Sequence, residues 1–170
     1  IAVLVNDAAW LDALEDLEAR AAHAVRRALA ASDAAPAGGP LEVSLLFTDD
    51  TEQRALNRDY RNKDTATNVL SFPNMDELQD PAVPGRPRLI GDVVLARETV
   101  AREAREQGKS LADHTMHLLV HGVLHLLGYD HLAPKEAEEM ESLERRILAE
   151  LDIADPYAVS EAKVREAGAG

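Results

Sequence analysis

The pattern of apolar and polar positions predicts strands and helices in alternation along the first part of the chain. A short aliphatic run at 1–5 and the alternating segment 41–47 favour β-strands. Between them, apolar residues recur at helical spacing from Trp10 to about Ala31, with Asp7 as a suitable N-cap. The segment 32–40 is rich in proline and glycine and therefore predicts a loop.

The rest of the chain continues the pattern with two more strands and four more helices. Strands are predicted at 69–72 and 89–96, and the long proline-containing segment 74–88 between them predicts an irregular loop. The helices are predicted at 50–60, 97–107, 110–127 and 134–151. This order, β-α-β-α-β-β-α-α-α, indicates an α+β fold in which a small mixed sheet packs with about five helices.

Composition and charge narrow the class of protein. Apolar residues make up 46% of the 170 residues and aromatic residues only 4%, so we expect one aliphatic core over 1–157, followed by a disordered tail at 158–170. The net charge of −13 argues against unspecific binding to nucleic acid or to an anionic membrane surface. No apolar run is long enough to cross a bilayer, and the sequence predicts a soluble, cytoplasmic protein.

The segment HGVLHLLGYDH, residues 121–131, holds three of the six histidines. Residues four apart share one face of a helix, so His121 and His125 can bind one ion together. Gly128 suits a left-handed residue that ends the helix, after which His131 can return towards the same ion. Three neutral imidazoles suit zinc and leave a fourth position open, which predicts one catalytic Zn²⁺ per chain at the end of this helix. Since the chain has no cysteine, a thiolate site is excluded.

The neighbours of this motif qualify the prediction. Zinc peptidases with two histidines four apart carry a glutamate directly after the first histidine, and Gly122 stands there instead. His114 and His117 would overfill a three-histidine site, which favours packing or indirect roles for both. Asp130 either orients a ring or stabilises the turn, and the residues leave both readings open.

The motif resembles the signature of the bacterial YbeY family, metal-dependent endoribonucleases of ribosomal RNA maturation. The resemblance covers most of residues 41–157, and beyond the motif it includes Leu56, Asn57, Tyr60, Arg61, Lys63, Asp64, the segment 67–73, Gly91, Asp92, Asp155, Pro156 and Tyr157. It implies cleavage of single-stranded ribosomal RNA, processing of the 3′ end of 16S rRNA and a role in ribosome quality control. Ribosomal proteins or a ribosome-associated GTPase are the implied protein partners, with no DNA or membrane partner.

Three further features of the sequence bear on its function. Judged by composition, Arg61 is a solvated residue at a helix end. The resemblance implies instead that it is the arginine required for catalysis. Its planar guanidinium can donate two hydrogen bonds to phosphate oxygens. Asp92 within an apolar strand predicts either a buried carboxylate with a partner or a group close to the metal ligands. The helix 136–150 predicts a solvated acidic face with a buried stripe of Met140, Leu143, Ile147 and Leu151.

The sequence therefore predicts a metal-dependent endoribonuclease, with two alternatives. A metalloprotease-like hydrolase shares the histidines but lacks the usual glutamate, and a non-catalytic ribosome assembly factor would use the metal only for structure. The route of cleavage also has two forms. An activated water can attack phosphorus directly, or the neighbouring ribose 2′-hydroxyl can attack after a base removes its proton. Because Gly122 takes the place of a neighbouring base, attack by water is favoured.

Overall fold

A computed structural model describes residues 1–36, 39–79 and 85–157 of the chain. The predicted disordered tail at 158–170 and part of the predicted loop at 74–88 lie outside these residues. Within them, no helix is both long and apolar enough to span a bilayer. In chain order, the elements are β1 Ala2–Val5, α1 Ala9–Ala13, α2 Leu17–Ala31, β2 Leu41–Thr48, α3 Asp50–Arg61, β3 Val69–Pro73, α4 Met75–Gln79, β4 Arg88–Ala96, α5 Arg97–Glu106, α6 Leu111–Leu126 and α7 Pro134–Glu150.

The predicted order of strands and helices is confirmed, with two additional helices among the described residues. The predicted helix from Trp10 to Ala31 is divided into α1 and α2 because Leu14 is extended, with φ −130° and ψ 121°, and Asp16 is left-handed, with φ 51°. These two residues interrupt the ladder of helical hydrogen bonds, although the apolar spacing continues across them. The second addition is α4, a short helix that begins in the segment predicted to be an irregular loop.

The sheet is mixed, as predicted, with the strand order β1-β2-β4-β3. Strand β2 is parallel to β1 and to β4, whereas β3 is antiparallel to β4. Alternation along β2 turns Val43, Leu45 and Phe47 to one face, where all three are buried. Helices α2 and α6 cover this face, and their apolar residues complete an aliphatic core.

The opposite face of the sheet is partly open. Asp92 pairs with Ser44 and Phe72 in the strand register and points away from α6, in contrast to its neighbour Val93. Its side chain is exposed, and among the described residues no hydrogen bond or ion pair involves it. The prediction that Asp92 is a buried, partnered carboxylate or lies close to the metal ligands is therefore wrong. The apolar side chains beside it remove some of its solvent, and this burial raises the pKa of its carboxyl.

Candidate metal centre

The three predicted ligands meet at the C-terminal end of α6. One ring nitrogen of each of His121, His125 and His131 lies within 4.8 Å of the other two. His121 and His125 occupy the last turns of the helix, which ends at Leu126. Gly128 has φ 98°, as expected for a left-handed residue after a helix, and its N–H donates to the carbonyl of His125 at 3.0 Å. This turn brings His131 back to the helix end.

The spacing of the ring nitrogens fits a metal ion. The Nε2 atoms of His121 and His125 lie 3.1 Å apart. Two nitrogens on a tetrahedral zinc, each at about 2.05 Å, would be roughly 3.3 Å apart. His121 and His125 are half-buried and His131 is exposed, so the cluster opens to solvent on one side. A three-histidine cluster of this kind could hold one metal ion and keep a position for a further ligand.

The electrostatics of His125 favour its role as a ligand. Burial lowers the pKa of His125, and the neighbouring His121 and His131 lower it further because a second positive charge beside theirs is unfavourable. A lowered pKa keeps the ring neutral at physiological pH. Since only a neutral imidazole has a free lone pair for a metal, His125 is ready to coordinate without first losing a proton.

A buried carboxylate orients His121. The Nδ1 atom of His121 lies 2.5 Å from Oε1 of Glu144, a residue of α7 whose side chain is 0% exposed. Glu144 also accepts a hydrogen bond from the phenol of Tyr157 and lies 3.4 Å from Nε2 of His117. With Nδ1 held by the carboxylate, Nε2 is the nitrogen of His121 that faces the other histidines.

Glu144 keeps its charge inside the protein because of these donors. Burial by itself raises the pKa of the carboxyl, but hydrogen bonds from His117, His121 and Tyr157 outweigh it and lower the pKa to about 2. Burial and the bond to Glu144 raise the pKa of Tyr157, so its phenol remains a donor. The result is an ionised carboxylate that accepts hydrogen bonds from the histidines at neutral pH.

Sequence reasoning missed Glu144. The helix 136–150 was predicted to present only a solvated acidic face, and that prediction is wrong at this residue. The buried stripe is confirmed at Met140 and Ile147, and Leu148 adds to it, whereas Leu143 and Leu151 are only partly buried. Glu144 lies four residues after Met140 and three before Ile147, which places it on the stripe. An acidic residue in register with an apolar stripe was the available signal.

The other polar residues near the motif lie outside the cluster. His114 is buried and its Nε2 lies 3.0 Å from Oε1 of Glu103, so it packs between α5 and α6. His117 contacts Glu144, and its ring makes an edge contact with that of His121, with centroids 6.3 Å apart. The carboxylate of Asp130 accepts the backbone N–H of His131 at 2.7 Å, which supports the turn. These positions agree with the packing or indirect roles predicted for His114 and His117.

Gly122 faces the sheet rather than the cluster. A Cβ atom at this residue would lie 2.8 Å from Cγ1 of Val93 and 3.1 Å from Oγ of Ser71. The Ser71 hydroxyl also donates to the carbonyl of Gly122 at 2.9 Å, so helix and sheet are in close contact here. A glutamate would collide with β4, which explains structurally why the position after His121 carries no carboxylate.

Arg61 is the last residue of α3 and is attached to β3. Its guanidinium donates to the carbonyl of Ser71 and lies 5.1 Å from the centre of the Phe72 ring. Since the Ser71 hydroxyl contacts Gly122, two contacts connect Arg61 to the helix segment that carries His121. Arg54 and Arg58, earlier on α3, pair with Asp64 and Asp59 instead.

Fold and site together define a small α+β protein with an open three-histidine cluster suited to a metal ion. The family model described as Endoribonuclease YbeY matches residues 9–152. The chain is 54% identical over 157 residues to the Endoribonuclease YbeY of Paramagnetospirillum magneticum, covering 92% of this chain and 94% of that one. It is 52% identical over 153 residues to that of Rhodospirillum rubrum, covering 88% and 76%. The chain therefore belongs to the YbeY family.

A solved structure supports the fold alone. The solution structure of TM1509 from Thermotoga maritima superposes with a TM-score of 0.51 at 22% sequence identity, covering 89% of this chain and 91% of that one. The family model and the curated relatives confirm the resemblance that the sequence motifs carried.

Proposed function

We propose that this protein is a metal-dependent endoribonuclease that cleaves single-stranded regions of ribosomal RNA during its maturation. The observation that carries the proposal is the convergence of three histidine nitrogens within 4.8 Å in a chain 54% identical to a protein named Endoribonuclease YbeY. In this proposal the single domain 1–157 acts in the cytoplasm, in 16S rRNA 3′-end processing and ribosome quality control.

The proposed metal is one Zn²⁺ ion per chain, held by His121, His125 and His131. An all-imidazole donor set and the 3.1 Å separation of two Nε2 atoms both suit zinc. When bound, the ion supplies Lewis-acid chemistry, because it lowers the pKa of a coordinated water to about 7 and polarises a phosphoryl oxygen. Glu144 keeps the ring of His121 turned towards the ion.

Arg61 is the proposed catalytic residue of the protein itself. Its guanidinium is tied to the Ser71 carbonyl and stacked near Phe72, which limits its freedom before any substrate arrives. A guanidinium held in place can stabilise the charge that builds on phosphate oxygens in the transition state at little further cost in entropy. Arg61 is exposed, so a phosphate can reach it.

The charge of the chain limits how RNA is bound. With a net charge of −13, the surface as a whole repels a polyanion, and a few local cations such as Arg61 must make the phosphate contacts. Binding of isolated RNA should therefore be weak. Ribosomal proteins or a ribosome-associated GTPase are the proposed partners that would bring the enzyme to its substrate.

A cleavage assay with controlled metal content tests this proposal. Purified protein is treated with a chelator, dialysed and reloaded with Zn²⁺, and each form is incubated with a 16S rRNA fragment and with a panel of peptides. Cleavage of single-stranded RNA that is lost with the chelator and restored by Zn²⁺ supports the proposal. Cleavage of peptides would indicate the metalloprotease-like alternative. Association with ribosomal particles without any cleavage would indicate an assembly factor.

A further inference from the structure

We infer that Glu144 and Tyr157 form a positioning pair that sets the tautomer of His121, so that the segment after α7 is part of the metal centre. The inference rests on the proposed metal site and extends it to two residues outside the histidine motif, both C-terminal to His131.

The carboxylate of Glu144 uses both oxygens within this network. Oε1 faces Nδ1 of His121 at 2.5 Å, and Oε2 accepts from the phenol of Tyr157. The side chain is 0% exposed, so water cannot replace a missing donor. A buried carboxylate without hydrogen-bond donors is strongly unfavourable, so the contacts with His121 and Tyr157 hold Glu144 in this position.

The consequence for His121 follows from the chemistry of imidazole. A neutral ring carries one N–H and one free lone pair, and a carboxylate beside Nδ1 favours the form with the proton on Nδ1. The lone pair is then on Nε2, the atom that lies 3.1 Å from Nε2 of His125. Without the carboxylate, half or more of the rings could carry the proton on Nε2, where it would block a metal.

Tyr157 reaches Glu144 because the chain folds back after α7. The Asp155 carboxylate accepts the backbone N–H of Tyr157 at 2.8 Å and pairs with Arg145 at 3.2 Å. The guanidinium of Arg145 lies 5.2 Å from the centre of the Tyr157 ring. The ring also makes an edge contact with His117, with centroids 5.8 Å apart. These contacts hold the phenol over Glu144 and close the network against solvent.

The alternative is that the network only stabilises the packing of α6 against α7. A role confined to packing would lower the stability of variants but leave the tautomer of His121 and the zinc affinity of the folded protein unchanged. A positioning role changes both, even in variants that remain folded. The two roles therefore differ in measurements that do not depend on RNA cleavage.

The test uses the full chain in four forms: wild type, Glu144→Gln, Tyr157→Phe and the matched control Glu139→Gln. Glu139 is an exposed residue on the same helix and takes no part in the network. Zinc affinity is measured by competition with a chromogenic chelator, and the protonated nitrogen of His121 is identified by ¹⁵N NMR of the metal-free protein. Far-UV circular dichroism verifies the fold of each variant.

We expect Glu144→Gln to bind Zn²⁺ about 10- to 100-fold more weakly and to show a mixture of His121 tautomers. Tyr157→Phe should lose roughly three- to tenfold, since the carboxylate remains but loses one donor. The control should match wild type. Tyr157→Phe removes one oxygen atom and leaves the ring contacts, so it carries the test if Glu144→Gln does not fold.

Wild-type affinity and an unmixed Nδ1–H tautomer in the folded variants would overturn the inference while the proposed function stands. Zinc binding that weakens as expected, in a protein that cleaves no RNA, would overturn the proposed function and leave the inference intact. A wild-type chain that binds no Zn²⁺ would overturn the metal site and the inference with it.

Discussion

His121 takes part in two interactions at once, and each uses a different ring nitrogen. Nδ1 is held by Glu144 on α7, and Nε2 faces His125 one turn along α6. The residue therefore connects a charge inside the protein to a cluster that is open to solvent. In a neutral imidazole, one nitrogen carries the proton and the other carries the free lone pair. The partner of Nδ1 therefore determines whether Nε2 can bind a metal.

Replacing a central ligand tests the cluster directly. His125→Ala should reduce the bound metal from one ion per chain to a small fraction and abolish RNA cleavage, because two imidazoles cannot complete the site. The measurement is metal content by elemental analysis after dialysis, followed by a cleavage assay. His23→Ala, which removes an exposed histidine from α2, is the control. Full metal occupancy in His125→Ala would contradict the ligand assignment.

Arg61 should affect turnover far more than stability or metal content. Arg61→Ala removes a charge that acts mainly in the transition state, so we expect normal folding, normal zinc content and a loss of most cleavage. Arg61→Lys should restore little, because an ammonium cannot make the forked contact with phosphate. Single-turnover cleavage rates give the answer, with Arg58→Ala on the same helix as control. Near-normal rates in Arg61→Ala would rule out the catalytic role.

At the scale of elements, the contact between α6 and the sheet determines where the histidines stand. Gly122 lets the helix lie directly on β3 and β4, with Ser71 bonded to its carbonyl. His121, directly before this glycine, and His125, a turn after it, are thereby held at the rim of the sheet. The same close packing leaves no room for a carboxylate side chain at the residue after His121. The contact between Gly122 and the sheet therefore accounts for the position of the histidines and for the absence of a neighbouring general base.

Gly122→Ala should destabilise the protein although alanine is the better helix former. The new Cβ would lie 2.8 Å from Val93 Cγ1, a short branched side chain that cannot move aside. Overpacking of this kind costs roughly 1 to 3 kcal/mol, against a gain of about 1 kcal/mol in helix propensity, so we expect a net loss of about 1 kcal/mol. Denaturant unfolding measures it.

The exposed Ala149→Gly on α7 calibrates the propensity difference in this protein. A rise in the free energy of unfolding for Gly122→Ala would show that α6 can move away from the sheet, and would remove the steric explanation given above.

Asp7 connects the starts of two helices and makes stability depend on pH. Its carboxylate accepts the N–H of Ala9 at 3.1 Å and pairs with Arg97 of α5 at 2.5 Å. The hydrogen bond from Arg97 lowers the pKa of Asp7 below its usual value. A lowered carboxyl pKa stabilises the folded state fully above about pH 4, and this contribution is lost as the pH falls through the pKa of the folded protein.

We therefore expect Asp7→Asn to reduce the free energy of unfolding by about 1 kcal/mol at pH 7. The difference from wild type should be the same at pH 5 and shrink below about pH 4, because Asp7 is protonated first in the unfolded chain and, at lower pH, in the folded protein. Urea unfolding at several pH values measures it, and the exposed Asp12→Asn serves as control. A difference that persists unchanged at pH 2 would show that the ion pair is not its source.

At the scale of the whole molecule, an acidic protein is proposed to act on an acidic polymer. The formal charge of −13 leaves recognition to a small number of cations and to the metal centre. Such a site suits a strand that is already single-stranded and is delivered by other components, since the surface contributes little to holding a duplex. In this proposal, we expect a weak intrinsic affinity that limits cleavage of RNA not presented to the site.

The route of cleavage can be decided with a modified substrate. We expect an RNA with a 2′-methoxy group at the cleavage site to be cut at a rate similar to the unmodified strand, because attack by an activated water does not use the ribose hydroxyl. Mass spectrometry of the products identifies their ends. Resistance of a modified strand that still binds, together with a 2′,3′-cyclic phosphate from the normal strand, would establish attack by the 2′-hydroxyl instead.

The sequence by itself determined the features that depend on neighbours in the chain. The spacing of His121, His125 and His131 around Gly128 predicts their convergence, because helix geometry and one left-handed turn relate residues only ten positions apart. The order of strands and helices is also predicted from local sequence, since each element is identified by the spacing of its own apolar residues. The extended Leu14 and the left-handed Asp16 leave no trace in that spacing, and the break between α1 and α2 was missed for this reason.

Only the tertiary structure decided which distant residues support the site. Glu144 lies 23 residues after His121 and reaches it because α7 packs on α6, a contact that no local period encodes. The same holds for Arg61, which meets Ser71 across a chain reversal, and for Asp92, whose exposure depends on which face of the sheet α6 covers. The packing of distant elements is determined by burial of the apolar core as a whole. The contacts of Glu144 and Arg61 and the exposure of Asp92 are therefore defined only in the complete fold.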